Sequence, residues 1–207
     1  MKNIRRIAIV ILLIAIIAMF LYRQLFIKEP PQTISSSNVT VVKAIDQTEA
    51  QDNPAFVKEI VKPEMPKGKN VALGMNIKAS SFNQTYTAPR AVDGKTDGPS
   101  YWEGKSDYPN TLTVDLKKPV KIHTVRLLIN PSELWGKRTQ TIAVNISSDG
   151  KDFTELSPSK QYTFDPITGN EVQVPFDEIE AQYVQIVITE NSGAEGGQIA
   201  EFEVYSN

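Results

Sequence analysis

The sequence predicts an all-β domain, an antiparallel sandwich or barrel of about 140 residues, and three observations predict it. From residue 69 onward, short runs place apolar side chains at every second position, the period of a strand with one buried face. Turn chemistry recurs at short spacing between those runs. No helical periodicity appears between residues 70 and 207.

The elements follow in chain order. A first strand region lies near VALGMNIKASS (71–81), and TLTVDL (111–116) and TVRLLIN (124–130) alternate cleanly after it. QTIAVNISS (140–148) runs into SSDGKDF (147–153), whose Asp-Gly pair is a hairpin signal. NEVQVPF (170–176), QYVQIVIT (182–189) and AEFEVY (200–205) complete the set, and there is no internal repeat.

The ends of the chain are unlike this middle. With 207 residues, a net charge of −2 and 41% hydrophobic content, the chain suits one or two small domains, one being favoured because its ends differ so much from its middle, and excludes a strongly basic nucleic-acid binder. Residues 7–22 carry no charge, and the apolar run continues past Arg23 to residue 27, enough to cross a bilayer core of roughly 30 Å as a helix. An uncleaved anchor is favoured over a signal peptide because no small-x-small cleavage site follows and no cysteine is present for a lipid anchor. Lys2, Arg5 and Arg6 precede the span and place residues 1–6 in the cytoplasm, so the remainder is expected outside the cell membrane. Residues 28–68, rich in Pro, Ser, Thr, Asn and charge, read as a flexible extracellular linker averaging roughly 35 Å end to end. A short element at 55–61 is one option within it. The domain itself is assigned to 69–207 and expected to be monomeric. Having no cysteine, it must rely on its core or on a bound metal.

One loop stands out for its oxygen-rich composition. AVDGKTDGPSYWEG (91–104) offers a carboxylate, tight glycine turns and a hydroxyl, the donors a hard cation such as calcium takes. An ordinary surface turn has the same composition, and the local sequence alone leaves both readings open.

NVALGMNIKASSFNQTYTAPRAVDGKTDGPSYWEG, followed by LTVDL, SSDGKDFTEL, AQYVQIVI and the terminal AEFEVY, resembles the discoidin domain, also called the coagulation factor five/eight type C domain. Bacterial members are grouped with the family 32 carbohydrate-binding modules, and YWEG, LWGKRTQT, YTFDPITGN and GGQIAEFEVY are similar to those modules. The resemblance implies an antiparallel jelly-roll β-sandwich, the galactose-binding-like fold. It also implies a structural calcium ion. Carried onto this chain, its side-chain ligands are Asp93, Ser100 and Glu201, with carbonyls from Arg90, Lys95, Ser100 and Ala200. The spacing from the Asp-Gly pair to Trp102 is longer here than the family's, which brings in Asp97 as an alternative ligand.

A sugar ring has an apolar C–H face and a rim of hydroxyls, so its binder pairs a flat aromatic with polar side chains. Trp135, between two strands and beside Lys137 and Arg138, is the first choice for that aromatic, although a tryptophan folded under its own loop fits equally. Trp102, just after the acidic loop, is where the resemblance implies a core tryptophan. Glu103, Tyr86, Arg138 and Gln198 are the accompanying candidates, and Tyr108 is a further loop aromatic. No enzyme is expected: His123 is the only histidine, no cysteine exists, and no serine sits in a nucleophile-elbow pattern. Two functions follow from the resemblance. One is a membrane-anchored extracellular module that binds a polysaccharide or cell-wall glycan. The other is a cell-surface module that binds a protein partner.

Overall fold

Alternating side chains form nine strands between residues 69 and 206, every pair of them antiparallel. The computed structural model of the chain describes residues 16–19, 21–22 and 61–207. Residues 16–19 and 21–22 are helical; the rest of the span predicted over 7–27, and residues 28–60 of the predicted linker, lie outside the described residues. Among the described residues no helix is long and apolar enough to cross a membrane.

The strands are β1 (Lys69–Asn70), β2 (Asn76–Ala79), β3 (Trp102–Glu103), β4 (Asn110–Leu128), β5 (Arg138–Ser147), β6 (Thr154–Phe164), β7 (Glu171–Asn191), β8 (Gln198–Ile199) and β9 (Glu201–Ser206). Short 3₁₀ turns at Ala88–Val92, Glu133–Trp135 and Pro166–Thr168 lie between them. TLTVDL and TVRLLIN, read as separate strands, are the two halves of β4, and NEVQVPF and QYVQIVIT are the two halves of β7. The interruption the sequence shows between the halves of β4 is a corner. Register shifts fall between Asp115 and Val120 and between Ile122 and Thr124, Lys117 has φ +67°, and Pro119, lacking an N–H, sits in the unpaired stretch.

These corners turn one continuous sheet into two layers. The first halves of β4 and the second halves of β7 carry β2 on one side and β5 then β6 on the other. The second half of β4 pairs with β9, which carries β1, and with the first half of β7. Leu112, Val114, Ile142, Val184, Ile186 and Ile188 from the first layer meet Val125, Leu127, Val174, Phe202 and Val204 from the second in one buried core. The result is the antiparallel β-sandwich that the alternation predicts. Strand β6 escaped the sequence reading because it is an edge strand: only Tyr162 and Phe164 are buried, Leu156 is half-buried against the core, and its remaining positions are polar or exposed.

Two features bear on the site. Arg126 lies on the outer face of the second layer, buried, with Nε donating to Glu171 at 3.1 Å and a terminal nitrogen to Glu203 at 2.8 Å. Glu203 thus serves an ion cluster, while its neighbour Glu201 does not. Residues 61–66, the end of the predicted linker, have no regular structure, and the Glu64 carbonyl accepts a hydrogen bond from Gln173 at 2.7 Å.

Candidate functional site

Residues from four separate segments converge on one surface. Tyr86 stacks on Tyr101 with ring centroids 4.2 Å apart, and Tyr101 meets Trp135 edge-on at 4.7 Å. The Arg138 guanidinium lies over the Trp135 ring, 4.8 Å from its centroid. From there a polar chain continues. Arg138 donates to Gln198 Oε1 at 2.7 Å, Gln198 Nε2 donates to Glu103 at 2.8 Å, and the other Glu103 oxygen accepts from Asn83 at 2.7 Å. The five ligand candidates read from the sequence, Tyr86, Glu103, Trp135, Arg138 and Gln198, therefore form one connected cluster. Trp135 is half-buried against the core while keeping a wall of a shallow pocket of about 530 Å³ that Asp97, Ser132 and Leu134 also line.

The cluster is held from below. Trp102 is fully buried and donates its indole N–H to the Ser81 carbonyl at 2.9 Å, the core role expected of it. Alternation along β3 then turns Glu103 away from Trp102 and toward Gln198. Gln140, fully buried on β5, clamps the Gln198 backbone with two hydrogen bonds, both 2.9 Å. Gly193 lies so near Arg138 that an added Cβ would stand 2.7 Å from its Cδ and Nε, so the guanidinium stem is fixed between this backbone and Trp135. Burial lowers the Arg138 pKa from its ordinary value, and burial together with Tyr86 raises that of Tyr101. Tyr101, Asn83, Gln140 and Gly193 were not singled out by sequence. Only Tyr101 carried a signal, since it and Glu103 share a side opposite to Trp102. Tyr108 is half-buried against the core and away from the cluster's hydrogen bonds, its hydroxyl without a partner among the described residues.

The acidic loop forms a second centre. The 3₁₀ turn Ala88–Val92 delivers Asp93 and Gly94, the latter at φ +80°, beside the start of β9. Glu201 is 1% exposed there; its Oε1 accepts from Gly94 N at 2.8 Å and Lys95 N at 3.1 Å, while its Oε2 has no partner among the described residues. Asp93 Oδ2 accepts from the Ser100 hydroxyl at 2.5 Å. Burial pushes the Glu201 carboxyl up to about 8; the Gly94 N–H opposes this, and the Asp93 and Glu203 carboxylates add to it. Among the described residues no trio of His, Cys, Asp or Glu side chains is placed to hold a metal. A cation here would depend on Asp93, Glu201 and main-chain oxygens. The Lys95 and Ser100 carbonyls accept no hydrogen bond among the described residues, and Ala200 adjoins Glu201 through its own N–H bond to Leu128 at 2.7 Å. Arg90 reaches back across the loop to the Pro99 carbonyl, and Asp97 is exposed, lining the pocket beside Trp135. An orphaned buried carboxylate oxygen next to a second carboxylate and free carbonyls fits a hard cation such as calcium.

Comparison with known families settles the lineage. The F5/8 type C domain matches residues 76–202, more than half of the chain. The chain belongs to the F5/8 type C family. Comparison with curated proteins finds no match. Among solved structures, this F5/8 type C chain resembles a Streptococcus pneumoniae fucose binding module, at 22% identity and TM-score 0.52, covering 70% of this chain and 100% of that one. It also resembles a family 32 carbohydrate-binding module from Clostridium perfringens in complex with GalNAc-β-1,3-galactose, at 23% identity and TM-score 0.54, covering 64% of this chain and 96% of that one. SpGH29 is similar at 21% identity and TM-score 0.55, with 67% of this chain covered, but the chain spans only 28% of its length. At these identities the shared property is the sandwich fold.

Proposed function

We propose that the F5/8 type C domain is a non-catalytic carbohydrate-binding module that a membrane anchor holds outside the cell, keeping the cell surface against a polysaccharide or wall glycan. The observation that carries this is the unbroken cluster from Tyr86 through Tyr101, Trp135, Arg138 and Gln198 to Glu103. It joins aromatic surface to fixed donors and acceptors, the two things a sugar requires. The similar structures from Streptococcus pneumoniae and Clostridium perfringens are sugar-binding modules, which supports the class of ligand. The anchor rests on the uncharged run at 7–22 and the positive charges before it.

Calcium completes the reading. Asp93, Ser100 and Glu201 would hold it with the carbonyls of Arg90, Lys95, Ser100 and Ala200, and its charge would satisfy the buried Glu201 carboxylate while tying the 93–100 loop to β9. Its role is structural. In a domain without cysteine it substitutes for a crosslink between the loop and the C-terminal strand.

A protein partner is the second reading, and one observation favours it: Leu134, next to Trp135, is 96% exposed. A glycan array probed with the full chain separates the two. Selective retention on defined glycans supports the module; no retention on any glycan, with capture by a surface protein through Leu134, supports the second reading.

A further inference from the structure

A groove lies away from the loop cluster, on the outer face of the layer formed by β2, the first half of β4 and the second half of β7. Its volume is about 680 Å³, and Asn76, Lys78, Thr113, Phe153, Tyr183 and Gln185 are among the residues lining it. That size falls within the roughly 300–1,000 Å³ of ligand pockets. We infer that this groove is a second carbohydrate-binding cleft, one that takes a neutral oligosaccharide chain. None of its residues belongs to the cluster at Trp135, so the inference goes beyond the loop-site reading and stands or falls separately.

Its lining has the required chemistry without a structural reason for it. Phe153 is half-buried but stands outside the core cluster. Among the described residues, the Asn76 amide, the Lys78 ammonium and the Tyr183 hydroxyl have no side-chain partner, and each lines the groove. Thr113 accepts from Gln185 at 3.0 Å, which leaves its own hydroxyl proton to donate. Hydrogen-bonding groups without protein partners beside two aromatic rings match a hydroxyl-rimmed ring with an apolar face. Charge narrows the ligand. Lys78 is balanced by Asp115, which also lines the groove, so the surface favours neither a uronate nor an amino sugar over an uncharged chain.

The groove is also preorganised. Gln185 is held from both sides, accepting from Asn145 at 3.2 Å while donating to Thr113. The Tyr183 ring is seated against the Asp-Gly turn: a Cβ on Gly150 would stand 3.1 Å from two ring carbons, and Gly150 has φ +72°. Side chains fixed before binding lose little entropy when a ligand arrives.

The test titrates the full chain with glucohexaose and mannohexaose, both β-1,4-linked and neutral, and with hexagalacturonate, comparing wild type with Phe153→Ala, Lys78→Ala and Trp135→Ala. Phe153→Ala is expected to weaken binding of a neutral hexasaccharide roughly thirtyfold, the loss typical of an aromatic anchor, with an unchanged melting temperature. Lys78→Ala, at an exposed side chain without a protein partner, is expected to weaken it severalfold and keeps the test valid if the first variant misfolds. Hydrogen exchange should slow in peptides spanning 111–115 and 183–185 when the hexasaccharide is bound. Wild-type affinity in both cleft variants overturns the cleft, as does binding of hexagalacturonate alone. Loss of all binding in Trp135→Ala with no effect in the cleft variants leaves the loop site standing and removes this one; the reverse pattern removes the loop site. Failure of the wild-type chain to bind any of the three sugars overturns the cleft.

Discussion

Glu201→Gln isolates the energetic role of the acidic loop. The Glu201 carboxyl is moved from an ordinary 4.5 to about 8, first by burial. An acid whose folded pKa is raised stays protonated in the folded chain at pH values where the unfolded chain has released the proton. Stability is therefore greatest below pH 4.5 for this group and falls as pH rises toward 8. At about 1.4 kcal/mol for each pH unit, the displacement amounts to about 5 kcal/mol, available only while no cation offsets the ionised form. Calcium bound to that form would offset about half of this loss, adding about 2.7 kcal/mol at a hundred times its dissociation constant. Glutamine keeps an acceptor for the Gly94 and Lys95 N–H groups but neither titrates nor carries charge. Guanidinium unfolding at pH 5 and pH 8, with chelator and with calcium, should show a fall with pH in chelator for wild type that is absent from Glu201→Gln, and a calcium response in wild type alone. Equal pH slopes in the two proteins, or an equal calcium response, would refute the reasoning.

Trp102→Ala should lower stability by about 3–5 kcal/mol through loss of a fully buried ring and its bond to Ser81, which differential scanning calorimetry would register as a melting temperature lower by roughly 10–15 °C. Gly193→Ala should displace Arg138 from Trp135, costing about 1–3 kcal/mol in overpacking and weakening sugar binding more than that loss of stability explains; unchanged affinity would show that the Arg138 position is immaterial. Protease added to intact cells should remove the domain. Full protection, or a mature chain lacking residues 1–27, would contradict the anchor.

The strands were legible wherever one face of a strand is buried, because burial imposes the alternation seen in LTVDL and QYVQIVI. The corners of β4 and β7 were read as breaks, since a bulge interrupts alternation without ending a strand. Strand β6 was invisible because an exposed edge needs no apolar pattern. Trp102 was separable from Trp135 only through the family resemblance, which implies a core tryptophan just after the acidic loop. The convergence of Tyr86, Glu103, Trp135, Arg138 and Gln198 followed from a simple criterion, aromatic or hydrogen-bonding residues on loops. What fastens them was not legible: Gln140 reads as one polar residue in a strand, and its two bonds to the Gln198 backbone depend on a contact 58 residues away. The unpaired oxygen of Glu201 was hidden for the same reason, as only the fold brings residues 93–95 against β9.

The central claim is that the Trp135 surface binds sugar. Isothermal titration of wild type and Trp135→Ala against whichever glycan the array selects tests it most directly. A loss of about 2 kcal/mol or more, roughly thirtyfold in affinity, with the melting curve unchanged, is the result expected of a central aromatic anchor. Equal affinity in the two proteins would contradict the account and place the sugar elsewhere on the domain.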